Sequence, residues 1–148
     1  MLTLNHTALH KIKVHAMQTY PEECCGVLLG SDESGVKKVD KAVKIENAME
    51  ENRERRFLVT PESYRSIELQ ARQERLQVIG IYHSHPDHRA APSTFDLENA
   101  LPSWSYVIVS VESGIPSKVT SWLLKEDRSG FEEETMMVLD GEFKHVVQ

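Results

Sequence analysis

Only two cysteines occur in the 148 residues, and they are neighbours, Cys24 and Cys25. A bond between adjacent cysteines is strained and neither has another partner in the chain. A disulfide scaffold is therefore excluded, and a reducing, cytoplasmic compartment is expected. Long apolar runs are also missing. Residues 78–82 and 106–109 are the longest, far short of the roughly 18 residues that a membrane span needs. Asn5, His6 and His10 interrupt any apolar signal core at the start of the chain. Basic residues are in deficit: 17 Lys+Arg stand against 23 Asp+Glu, a formal net charge of −6. The densest basic cluster, Arg53, Arg55 and Arg56, is interrupted by Glu54. Without a basic stripe to neutralise phosphates, neither nucleic acid nor an anionic membrane is an expected partner, and a nuclease or DNA-repair role is disfavoured. Glycine and proline fall singly between periodic stretches, with no linker or repeat, so one domain over residues 1–148 is expected.

What remains is an ordinary globular composition, 40% apolar and 27% charged, in a chain long enough to bury one sizeable core. Residues 5–20 read as a helix with Leu9, Ile12, Lys13, Ala16 and Met17 in one mostly apolar stripe, ended by Pro21. Residues 24–30 are a short apolar run expected as a buried strand, and residues 36–45 alternate as a strand after a turn at Ser34 and Gly35. The polar stretch 46–55 is a loop and 57–59 a short strand. Thr60 and Pro61 give a cap followed by proline, and 62–75 continue as a helix with Tyr64, Ile67, Leu69 and Ala71 inward. Residues 78–82 are a third apolar strand, 93–100 a short helix, 106–111 and 119–124 further strands, and 136–147 one more. This order predicts an α/β layer structure, a mixed β-sheet with helices against it.

The third apolar strand runs directly into His83-Ser84-His85-Pro86. Histidines at i and i+2 leaving a strand project from one face. Two imidazoles on one face can hold one metal ion, and a carboxylate from the following helix can add a third bond. Two His and one carboxylate, with the fourth position open, form the ligand set of a catalytic zinc; a structural zinc would be closed by four ligands, usually thiolates. Ser93 and Asp96 make an S-x-x-D helix start, which is a capping box in its own right. A capped first turn also fixes where Asp96 points, as a metal ligand requires.

The segment from His83 to His88 matches a second pattern, the H-x-H-x-D-H of the metallo-β-lactamase superfamily. Only His145 lies beyond His88, however, and the chain is too short for that duplicated sandwich, so Asp87 and His88 are read as solvated loop. The H-x-E and P-C-x-x-C signatures of zinc deaminases are absent. A hydrolytic site also needs a general base. No glutamate lies between His83 and Asp96. The best source is Pro21-Glu22-Glu23-Cys24-Cys25-Gly26, at a helix-to-strand junction, where spacing alone leaves Glu22 and Glu23 both open.

With these residues in place the sequence resembles the JAMM metalloproteases, the active branch of the MPN domain family. The resemblance rests on His83-x-His85-Pro86, on Pro92-Ser93-x-x-Asp96 and on the upstream Glu23-x-Cys25-Gly26, and extends from the first helix to about residue 124. It implies the MPN fold, similar to that of cytidine deaminases, with helices packed on both sides of the mixed sheet. It implies that His83, His85 and Asp96 bind Zn2+, that Glu23 takes a proton from the attacking water and returns it to the leaving amine, and that Ser93 hydrogen-bonds the oxyanion. Cys25 falls at a packing position. Family members cleave peptide or isopeptide bonds at the C-terminus of ubiquitin-like β-grasp proteins. The compact length resembles the stand-alone prokaryotic type, for which a small sulfur-carrier protein of the ThiS/MoaD kind is the implied substrate. A non-enzymatic MPN-type scaffold is the competing expectation. Oligomeric state is left open.

Overall fold

Alternating burial in the strands sets the architecture. In β2 (Cys25–Glu33), Leu28 points to one face of the sheet while its neighbours Val27 and Leu29 point to the other. Both faces must therefore be covered. Helix α1 (His6–Thr19) covers the first, packing Ala8, Leu9, Ile12 and Ala16 against Leu28, Val39, Tyr82 and Val107. Helix α2 (Pro61–Gln73) covers the second with Ile67 and Ala71 on Cys25, Val27 and Leu29. The computed structural model describes residues 1–140 and 143–146. None of its helices is long and apolar enough to cross a membrane.

The remaining elements are β1 (Leu2–Asn5), β3 (Val36–Ile45), β4 (Gln77–Pro86), α3 (Thr94–Glu98), β5 (Ser105–Glu112), β6 (Ile115–Leu124), β7 (Phe131–Glu134), β8 (Met136–Asp140) and β9 (Phe143–Val146). Among the described residues the strands form one sheet in the order β7-β6-β5-β4-β2-β3-β1-β8-β9. The sheet is mixed: β4 and β5 run parallel, as do β1 and β3 and β1 and β8, while the other pairs are antiparallel. Strands β7 and β8 stand far apart in this order, yet Thr135 alone separates them in the chain, and the Leu2 N–H donates to its carbonyl at 2.9 Å. The sheet therefore curls almost shut. Helix α1 lies within the curl, packed against β1, β3, β4, β5, β6 and β8.

The mixed α/β fold with helices on both faces agrees with the expectation, and several details correct it. Met17 and Leu69 are 46% and 53% exposed, not inward. Leu69 follows the buried Ile67 by two residues, which turns it about 200° round a helix and into solvent. Residues 57–59 form no strand. Strands β1 and β7 had no signal, being only 4 residues each. The single strand expected over 136–147 is two strands, β8 and β9, with 141, 142 and 147 outside the described residues. Finally, β4 does not stop at residue 82 but runs through both histidines to Pro86.

Candidate metal centre

Strand β4 carries both histidines of the site, and a bulge gives its residues their facing. The β2–β4 register shifts between Leu28 and Leu29, which pair with Gly80 and Val78. Ile79 is the extra residue, and it reverses the alternation. Val78 lies on the α2 face, Ile79 and Tyr82 pack with α1, and His83 and His85 return to the α2 side. Phe57 stacks on the His83 ring at 4.6 Å. The chain then leaves β4, turns at Asp87 and comes back through α3 before β5, the parallel neighbour of β4. This crossover brings α3 over the end of β4. Ser93 caps α3: its Oγ accepts from the Asp96 N–H at 3.1 Å, and the Ser93 N–H donates to Asp96 Oδ2 at 2.8 Å. The capping box thus aims the Asp96 carboxylate at the histidines.

Three acceptors converge there. His83 Nε2 and His85 Nε2 are 3.2 Å apart, Asp96 Oδ2 is 3.2 Å from His85 Nε2, and Asp96 Oδ1 is 3.3 Å from His83 Nε2. His85 Nδ1 faces the Arg89 carbonyl at 2.8 Å. A carbonyl only accepts, so Nδ1 carries a proton, and in the neutral ring Nε2 is then the atom that can ligate a metal. Complete burial pushes His83 down, against the pull of Asp96, and favours the neutral imidazole. Burial alone would raise Asp96, but His83, His85 and the Ser93 N–H hold it well below the usual carboxylate range. Neutral imidazoles and an ionised carboxylate are the protonation states a metal requires. The spacings also fit: zinc bonds of about 2.0–2.2 Å at tetrahedral angles put ligand atoms about 3.3–3.6 Å apart.

Glu23 completes the group. Its ligand atom and those of the two histidines lie within 4.8 Å of one another, and Oε1 is buried without a hydrogen-bond partner. Burial, then the Asp96 charge, pushes its carboxyl up to about 9. Its backbone is held on both sides, the N–H by the Arg53 carbonyl at 2.7 Å and the carbonyl by Asn47 Nδ2 at 3.2 Å. The next residue is tied to β4: the Cys24 N–H donates to Ser84 Oγ at 2.8 Å. Glu22, by contrast, is turned out to pair with Arg53 at 3.0 Å. Cys24 and Cys25 are buried thiols pushed up to about 11 and about 12 by burial, and for Cys25 this agrees with the packing position expected of it.

A cavity of about 280 Å³ opens on this group, lined by Glu23, His85, Ser93, Arg55, His88 and Arg89. A second, of about 170 Å³, reaches His83 and Asp96 from the other side past Phe57 and Tyr106. The Ser93 hydroxyl accepts from Asp96, so its own proton is available to the first cavity. Asp87 and His88 are exposed, in line with a loop, yet His88 borders the cavity. Sequence reasoning missed Arg55, Arg89 and Asn47. The arginines carry no spacing signal. Asn47 does its work through four hydrogen bonds, to the carbonyls of Glu23 and Arg56 and from the N–H groups of Met49 and Leu58, which only the folded loop discloses.

Comparison with known proteins bears on this geometry. The family model for prokaryotic homologs of the JAB domain matches residues 6–125. The chain belongs to this family. A protein of Desulfitobacterium hafniense solved in solution superposes on the JAB chain with a TM-score of 0.83 at 29% identity, covering 95% of this chain and 94% of that one. A Salinibacter ruber protein is 40% identical over 99% of this chain and 98% of its own, with a TM-score of 0.73. The JAB1/MPN domain protein AF2198 of Archaeoglobus fulgidus shares the fold, with a TM-score of 0.57 at 20% identity over 95% and 98% of the two chains. The tail tip assembly protein K of Escherichia phage N15 is 31% identical over 93 residues, which are 63% of this chain. The match spans about a third of that relative's length, 34%.

Proposed function

We propose that this JAB-family protein is a zinc-dependent cytoplasmic peptidase that hydrolyses a peptide or isopeptide bond at the C-terminal tail of a ubiquitin-like or sulfur-carrier β-grasp protein. The observation that supports it most is the convergence of His83 Nε2, His85 Nε2 and Asp96 on one point at 3.2–3.3 Å, with the buried Oε1 of Glu23 beside them. Three lone-pair donors facing one another in a dry site are repulsive unless a cation or a proton lies between them.

His83, His85 and Asp96 are the residues that would hold the metal. When bound, zinc supplies Lewis acidity for the scissile carbonyl and lowers the pKa of a water towards about 7. Glu23 acts as the base. With Asp96 engaged in ligation, the second cause of its raised pKa weakens, and it can exchange a proton closer to neutrality. It takes the proton of the attacking water and returns it to the leaving amine. Ser93, whose hydroxyl proton faces the cavity, donates to the oxyanion, a contribution of about 2.7–4 kcal/mol for one such donor. His85 is held in the required tautomer by the Arg89 carbonyl.

The test is incubation of zinc-loaded protein with C-terminally extended β-grasp proteins from the same genome, read by intact mass. Cleavage that Glu23→Gln abolishes while metal content is retained is the expected result. A wild type that binds zinc but is inert on every tail, while forming a tight complex with other proteins, would point to a scaffold instead.

A further inference from the structure

A cavity of about 480 Å³ lies away from the metal centre. It lies along β3, between α1 and α2. Strand β1 covers β3 only at Lys37, Lys38 and Val39. There the chain turns into α1, and among the described residues no strand pairs with residues 41–45 on that side. The other edge of this segment is fully paired with β2. A stretch of five residues, about 17 Å long, therefore presents its outward N–H and C=O groups to an open groove. Such an edge is a template for an added strand.

The groove has a definite charge. Its charged walls are cationic: Lys11 from α1 and Lys41 and Lys44 from β3, with His10 and His15 beside them. Lys41 shares Glu74, which stands outside the groove, while Lys11 and Lys44 have no ion-pair partner among the described residues. This is a local basic strip on a chain of net charge −6. Lysines on an edge also guard against pairing with another copy of that edge. They repel a like strand and complement only one of opposite sign. Below them, Ala42, Val43 and the Tyr82 ring supply apolar wall, and the Tyr82 hydroxyl is bonded to His15 Nδ1 at 2.7 Å. Lys41 and Val43 project to one face of the strand and Ala42 and Lys44 to the other, so side chains on either face of an added strand would meet one lysine and one apolar residue.

We propose that residues 41–45 of β3 dock an extended, acidic segment of a partner protein, which adds to the sheet as a further strand alongside α1. The segment carries a carboxylate and an apolar residue on each of its two faces, in the order acidic, apolar, apolar, acidic opposite residues 41–44. The docking is separate from the metal centre and does not depend on the peptidase reading.

The experiment is fluorescence anisotropy of the full chain with a labelled set of extended peptides that repeat the order acidic, apolar, apolar, acidic, with Glu or Asp as the acidic and Val, Ile or Leu as the apolar residues. Three controls accompany it: the same peptides with Lys for Glu, peptides N-methylated at alternate residues, and competition by inorganic phosphate. The acidic peptides are expected to bind, the lysine versions not to, and N-methylation on one set of alternate residues to abolish binding. The double variant Lys41→Glu/Lys44→Glu should weaken binding at least tenfold, with unchanged melting and unchanged zinc content. Failure of the whole acidic set at millimolar concentration overturns the proposal. So does equal binding by the charge-reversed variant or by both N-methylated series. Displacement by phosphate as effective as by unlabelled peptide would also overturn it, showing a small-anion site instead.

Discussion

His85 cannot release its position without cost, because its Nδ1 proton is committed to the Arg89 carbonyl and its Nε2 faces Asp96 and His83. Removing one member of the trio breaks the cage. Asp96→Ala and His83→Ala are each expected to lose stoichiometric zinc, measured by metal analysis after dialysis. Glu23→Gln should retain the metal and lose about 10²–10⁴ in rate, the usual share of a general base. Glu23 also dictates a pH dependence in the ion-free protein. Its carboxyl is raised from 4.5 to about 9 by burial and then by Asp96, so the native state keeps a proton that the unfolded chain has released. The associated stability is fully present below about pH 4.5 and is lost as pH rises towards about 9. Burial lowers His83, which gives the opposite slope below pH 6.5, so the Glu23 contribution is read as a difference: denaturant midpoints of metal-free wild type should decline with pH relative to those of Glu23→Gln across that interval.

At the scale of elements, α3 is only 5 residues long, and its position depends on its cap. Ser93 has two tasks, and substitution can separate them. Ser93→Asn keeps a capping oxygen, whereas Ser93→Ala costs about 1 kcal/mol of helix stability. Ser93→Ala also removes the hydroxyl donor and should reduce the rate by about 10²–10³, whereas the Asn amide can still donate and should lose less, and thermal melting reports the cap separately. The β2–β4 pair is equally constrained. Gly26 pairs with Tyr82, and a Cβ on Gly26 would lie 2.0 Å from the Tyr82 ring. Gly26→Ala is therefore expected to destabilise by about 1–3 kcal/mol or more, read from chemical denaturation. The elements were unequally legible. The Thr60–Pro61 start of α2 and the S-x-x-D cap of α3 are local patterns that act over four residues. The bulge at Ile79 and the strand β1 are not local, since each is stabilised by partners distant in the chain, while β7 pairs with its neighbour β6 but is only 4 residues long.

For the whole molecule, the curled sheet joins the chain's beginning to its end. Leu2 and Leu4 are fully buried, and β1 bridges β3 and β8. Leu4→Ala should accordingly cost about 2–5 kcal/mol, as in other cores, although it lies near the start of the chain. Metal should stabilise the entire fold, because the ligands come from β4 and α3, with Glu23 held between α1 and β2. Free zinc at a hundredfold excess over its Kd adds about 2.7 kcal/mol. Calorimetry should show a rise in Tm with zinc that Asp96→Ala abolishes.

The sequence by itself determined the ligand chemistry: an i, i+2 histidine pair faces one way on any strand, and S-x-x-D aims a carboxylate from any helix start. It also determined two apolar sheet faces that helices must cover. Spacing left Glu22 and Glu23 both open and the resemblance implied Glu23; only the tertiary structure shows how Glu23 is buried beside the histidines, through long-range bonds from Arg53, Asn47 and Ser84 to this segment. It alone decided that β3 would keep half of one edge bare. Contacts of that kind depend on how distant segments meet, and no spacing along the chain encodes them.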